Sequence, residues 1–154
     1  MANGSKDWQS QVNITAQDLD KITNRPSYGA AVRESFVFPV LTTETKICLT
    51  VLGKGVIYGG DFGTTQSVKQ GSNRVLLEID GNELKGTNID VDLQRGVYQI
   101  YTSPLYLILY NDVEFRYNYG IMPGLTFESS VVLKFLNNGA QTDVVLGELV
   151  YALV

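Results

Sequence analysis

From residue 33 onward the chain is a succession of short runs rich in Val, Ile, Leu, Tyr and Phe, each ended by Gly, Asn, Asp or Pro, and none with a helical period. This confines the fold to β-structure. The runs fall at 35–41, 46–52, 56–62, 74–80, 88–93, 97–102, 105–110, 113–119, 125–136 and 143–154. Alternation is plain in Val75, Leu77 and Ile79, in Ile89, Val91 and Leu93, and in Phe127, Ser129, Val131, Leu133 and Phe135. Residues two apart share a face, so the apolar members of these sets are the expected core. Asp80-Gly81-Asn82 and Asn137-Asn138-Gly139 supply residues that tolerate positive φ, as tight hairpins require. Short strands spaced by such turns predict an all-β fold, an antiparallel jelly-roll-like β-sandwich of about eight to ten strands over residues 31–154.

The first thirty residues differ. They are polar, end in Asn24-Arg25-Pro26-Ser27-Tyr28-Gly29, and hold one short helical pattern in which Thr15 or Asp18 caps a turn carrying Leu19 and Ile22. Residues 1–30 therefore read as an N-terminal arm, too short for a core of its own. Such an arm docks on its own domain or reaches over a neighbouring subunit, and its place in the chain leaves both open.

At 154 residues one domain with a single core is the expectation. A net charge of −4, with the 12 Lys and Arg scattered, argues against a nucleic-acid partner, which needs clustered cations. The most apolar windows, 105–110 and 144–154, are much shorter than the roughly 20 residues of a membrane span, and residues 1–10 carry no apolar run for a signal peptide. Histidine is absent, which removes the commonest general base and the Ser-His-Asp and Cys-His nucleophile systems. The lone Cys48 lies between apolar neighbours on an expected strand, has no internal disulfide partner, and reads as an inert strand residue suited to a reducing compartment. No motif asks for a cofactor, and the expectation is a protein that is not an enzyme.

The densest glycine cluster is Val51-Leu52-Gly53-Lys54-Gly55-Val56-Ile57-Tyr58-Gly59-Gly60-Asp61-Phe62-Gly63. A phosphate-binding loop needs a glycine five residues before Gly53-Lys54, Ser or Thr after the lysine, and a helix beyond; here Cys48, Gly55 and strand-like residues stand in those places. The dinucleotide pattern also fails, because its third glycine would fall on Tyr58. The spacing predicts instead a β-hairpin turning at Gly53-Lys54-Gly55. Gly59-Gly60 then interrupts the second strand, where paired glycines mark a bulge or a close backbone approach, and both residues are candidate interface positions.

Two other groups are candidates for chemistry. Asn88, Asp90 and Asp92 share a strand face near Asp80, Asn82 and Glu83, an oxygen-rich set of the kind calcium favours. No calcium-loop spacing is met, so the set reads as a solvated outer face and no metal ligand is assigned. Tyr98, Tyr101, Tyr106, Tyr110, Tyr117 and Tyr119 crowd into one short stretch. Tyr117 and Tyr119 share a face with Phe115 and belong with the core, whereas Tyr98, Tyr101, Tyr106 and Tyr110 are candidates for a subunit interface or a platform on which a sugar stacks.

The run 45–62, a strand leading through Gly53-Lys54-Gly55 into Val56-Ile57-Tyr58-Gly59-Gly60, followed by Val75-Leu76-Leu77-Glu78-Ile79-Asp80-Gly81, resembles β-sandwich proteins encoded among bacteriophage virion genes. The resemblance covers roughly residues 45–81. It implies a structural protein of the virion, made in the host cytoplasm, such as a capsid decoration, collar or tail component, and implies other virion proteins as partners. It assigns no residue a role. A histidine-free, tyrosine-rich sandwich with a polar arm also suits the repeated symmetric contacts of a homo-oligomer. The alternative expectation is a carbohydrate-binding module that recognises a host glycan.

Overall fold

The computed structural model describes residues 28–64, 73–85, 104–111 and 116–154. Among these residues the chain forms ten strands and no helix: β1 (Val32–Val40), β2 (Thr45–Leu52), β3 (Gly55–Thr64), β4 (Arg74–Ile79), β5 (Asn82–Lys85), β6 (Leu105–Asn111), β7 (Arg116–Ile121), β8 (Leu125–Phe127), β9 (Ser130–Leu136) and β10 (Asp143–Leu153). All pairings are antiparallel and fall into two sheets. The first runs β1-β10-β3-β7-β6, with β8 also on β3; the second runs β2-β9-β4-β5. The chain is thus all-β with two antiparallel sheets. The arm expected at 1–30 lies outside the described residues except for its last three, where Gly29 N donates to Leu153 O at 2.6 Å on the way into β1.

The core follows from alternation. In β9 every second residue is buried, which puts Val131, Leu133 and Phe135 inside. β4 contributes Val75 and Leu77, and β10 contributes Val145, Leu149 and Tyr151. Residues of both sheets meet in one apolar cluster with Phe36, Phe62, Tyr119 and Phe127. Phe36 packs edge-on to Phe62, and Tyr117 edge-on to Tyr119 at 6.2 Å between ring centres, so these two tyrosines belong to the core as their pattern predicts.

The most consequential feature is a ribbon that passes from one sheet to the other. Leu49 pairs with Leu133, Val51 with Val131 and Leu52 with Ser130 in the second sheet. At the corner Gly53 N donates to Ser129 O at 2.8 Å. In the first sheet the same register resumes, with Gly55 opposite Phe127, Val56 opposite Thr126 and Ile57 opposite Leu125. Two expectations are corrected here. Gly53-Lys54-Gly55 is not a hairpin, because β2 and β3 lie in different sheets and the glycines carry the chain round a corner. The run 125–136 is not one strand, because it breaks at Glu128–Ser129 for the same reason.

A third correction concerns Asn137-Asn138-Gly139. β9 and β10 also belong to different sheets, and none of the three residues takes positive φ. Side-chain hydrogen bonds turn the chain there instead. Asp80–Gly81 does turn a true hairpin, β4 into β5, with φ of 52° at Asp80 and 79° at Gly81. The expected strands 88–93 and 97–102 lie outside the described residues.

Candidate functional site

The pairings among the described strands of the first sheet order its outer face in rows. One row crosses β10, β3, β7 and β6 through Glu148, Asp61, Gly120 and Tyr106. The next crosses β1, β10, β3, β7 and β6 through Val37, Leu146, Gly63, Asn118 and Leu109. Glu148 and Asp61 are like charges directly opposite one another, an unfavourable pair on a sheet face. Each has its own relief: the Arg33 guanidinium donates to Glu148, its Nε at 2.9 Å, and the Asn118 carboxamide donates to Asp61.

The neighbouring row carries exposed apolar side chains at its two ends. Val37 is 67% exposed and Leu109 48%, far above what a residue packed into its own fold shows. A depression of about 130 Å³ opens at Gly63, lined also by Leu109, Leu146, Arg116 and Asn118. That volume accommodates one medium-sized side chain from outside.

Among the described residues the candidate interface positions fall on two strands, Gly59 and Gly60 on β3 and Tyr106 and Tyr110 on β6. Gly60 lies where a backbone approaches closely, and that backbone is the chain's own β10: a Cβ there would meet Glu148 O at 2.5 Å. Gly59 follows the bulge at which Tyr58 has no partner on β10, and a Cβ added to it would meet nothing within 4 Å. Tyr106 lies on the outer face with its ring against Gly120. Tyr110 sits on β6 opposite Tyr117. Tyr98 and Tyr101 lie outside the described residues, as do Asn88, Asp90 and Asp92.

Asp80 has a different part from the one its acidity suggests. Its carboxylate accepts from Glu128 N at 3.0 Å, from Ser129 N at 2.7 Å and Ser129 Oγ at 2.9 Å, and from Ser130 N at 3.1 Å. Asp80 N in turn donates to Ser130 O at 2.9 Å. These backbone donors, first those of Glu128, hold the carboxyl down at a pKa of about 2. A carboxylate so engaged serves the corner of the ribbon. Sequence reasoning could not find this role, because the donors lie about fifty residues away.

At the opposite end of the sheets, buried polar side chains tie the β9–β10 connection down. Asn73 Nδ2 donates to Asp143 Oδ2 at 2.7 Å, and Asn73 Oδ1 accepts from Asn138 N at 2.9 Å. Asn137 Nδ2 donates to Val40 O and Gln141 O, both at 2.9 Å. Asn137 Oδ1 accepts from Gly139 N at 2.9 Å. Burial pushes the Asp143 carboxyl up, against the hydrogen bonds from Val144 N, Asn73 and Thr64. The Tyr117 hydroxyl lies beside this group without a well-formed hydrogen bond; burial first, then the nearby Asp143, raise its pKa.

Cys48 is buried at a bulge in β2, where the pairing with β9 skips from Ile47 to Leu49. Burial pushes its thiol up to about 12, so no thiolate is available near neutral pH. Among the described residues no group of three or more His, Cys, Asp or Glu is placed to hold a metal ion. The outer face of the first sheet thus combines exposed Val37 and Leu109, a shallow depression at Gly63, and Glu148 and Asp61 each held by a donor of the same chain. No protein-family model matches this chain, and no curated protein matches it.

Proposed function

We propose that the chain is a non-enzymatic assembly protein that works as a homo-oligomer and contacts other proteins through the outer face of its β1-β10-β3-β7-β6 sheet. The observation that carries this reading is the exposed pair Val37 and Leu109 on one row, with the Gly63 depression between them. An interface formed through this face would bury both side chains. In this reading the two sheets are the layers of a jelly-roll-like sandwich, and the partners are those the resemblance implies: the capsid, collar or tail proteins of a bacteriophage virion. Sedimentation of the full chain at micromolar concentration tests it. A concentration-dependent oligomer supports the reading, and a persistent monomer that attaches to no phage particle sinks it.

A second reading, glycan binding, is favoured by one observation. Tyr106, Asp61 and Asn118 lie within two neighbouring rows of the same face, an aromatic ring beside polar edges. A glycan array probed with and without calcium decides it, since failure to bind in both conditions removes it.

A further inference from the structure

The turn Asn137-Asn138-Gly139 combines a reactive dipeptide with a device that restrains it. An Asn followed by Gly is the pairing most prone to form a succinimide, because glycine puts no side chain in the way of its own nitrogen. Asn138 is exposed on the β9–β10 connection, where water and base reach it. Both neighbouring amides are nevertheless engaged: Asn138 N donates to Asn73 Oδ1 and Gly139 N donates to Asn137 Oδ1, each at 2.9 Å. The second contact is an Asx turn. It holds the Gly139 N–H against Asn137 Oδ1, so the proton that a base must remove before this nitrogen can attack is already engaged. Asn137 itself is fully buried and anchored to Val40 O and Gln141 O.

From this geometry we propose that Asn138 is a site of spontaneous deamidation and that Asn137 gates it. In the reaction a base removes the Gly139 amide proton and the nitrogen attacks Asn138 Cγ. A C–N bond forms, the Cγ–Nδ2 bond breaks, and ammonia leaves after taking a proton from solvent. Water then adds to either carbonyl of the succinimide ring and opens it to aspartate or isoaspartate. Each product adds one negative charge close to the Asn73–Asp143 pair. Isoaspartate also lengthens the backbone between two strands that belong to different sheets. In the folded protein the step waits for local opening of the turn.

The test follows Asn138 by peptide mapping of the full chain at mildly alkaline pH, scoring the mass gain and isoaspartate. The same chain in concentrated urea supplies the unrestrained rate at Asn138, with Asn3-Gly4, the same dipeptide, followed alongside to correct for the effect of urea on the chemistry. Folded wild type should convert at Asn138 more slowly than in urea by roughly tenfold or more, and folded N137A should recover most of that difference. Equal rates in the folded and urea-treated wild type overturn the proposal, as does a folded N137A that stays as slow as wild type. If N137A does not fold, wild type in low urea replaces it: deamidation must rise together with hydrogen exchange of the Gly139 amide. Exchange that rises while deamidation does not would overturn the gate.

Discussion

The Asp80 carboxylate holds Ser129 by both its backbone and its side chain, with Oδ1 taking the amide N–H at 2.7 Å and the hydroxyl at 2.9 Å. Asp80 closes the β4–β5 hairpin, and Ser129 is the corner at which the β8–β9 half of the ribbon changes sheets. A turn in one sheet therefore fixes the crossing point between both. The arrangement resembles a capped helix end, in which a carboxylate takes up backbone donors that the regular ladder leaves unpaired.

Acid stability should depend on this contact. Asp80 titrates near 2 in the folded protein against an ordinary 3.8, so its contribution is complete above about pH 4 and is lost as pH falls toward 2. D80N should lower stability at neutral pH and weaken the fall between pH 4 and pH 2. Chemical denaturation across that range, compared with wild type, measures both effects. An unchanged acid limb in D80N would contradict the assignment.

Asp143 should behave in the opposite sense. Its folded-state pKa is raised by burial, so ionisation costs stability, and the protein should recover that cost as pH falls through the raised value. Both carboxylate oxygens accept, Oδ1 from Val144 N and Oδ2 from Asn73, so D143N sets a donor against a donor and should destabilise by about 1–3 kcal/mol. The exchanged pair N73D/D143N restores a donor to an acceptor, while the carboxylate placed at position 73 still accepts from Asn138 N. A double-mutant cycle in urea should therefore show the exchanged pair to be more stable than D143N alone.

Two glycines of β3 should respond differently to alanine. At Gly63 a Cβ would lie 1.9 Å from Tyr117 O, so β3 and β7 must separate and G63A should be severely destabilising, with loss of local pairing. At Gly59 nothing lies within 4 Å and the cost is the backbone alone, whose φ of 151° is strained for alanine; G59A should cost about 1–3 kcal/mol. Thermal unfolding of the two variants ranks them, and the reverse order would refute the account.

The proposed contact face is open to direct test. V37D and L109D place charges on its two exposed apolar positions and should shift a wild-type oligomer toward monomer without loss of fold, since neither side chain is in the core. Sedimentation reads the first effect and circular dichroism the second. An oligomer that survives both substitutions assembles through another surface.

Cys48 should resist thiol reagents in the native protein at mildly alkaline pH and react fully once unfolded. Its thiol is buried and its pKa is about 12. Rapid modification of the folded chain would show that β2 opens readily.

Much of the interior was legible in the sequence. Val75, Leu77, Phe127, Val131, Leu133 and Phe135 alternate, and each is buried, because strand geometry sends every second side chain to one face whatever the partner. The inert setting of Cys48 and the core role of Tyr117 and Tyr119 follow from the same rule. The Asp80 anchor and the Asn73, Asn137 and Asp143 network were not legible, because each joins residues far apart in the chain and none has a spacing motif.

The sequence by itself thus determined that the chain is all-β, which faces turn inward and where the chain bends. Only the tertiary structure decided which strand pairs with which, so the same glycines that promised a hairpin at Gly53-Lys54-Gly55 turn a corner between sheets instead. The reason is physical. A turn residue sets the local dihedrals over a few positions, whereas the sheet a strand joins depends on which distant apolar face it can bury, and here both sides of Gly55, Val56 and Ile57 are covered.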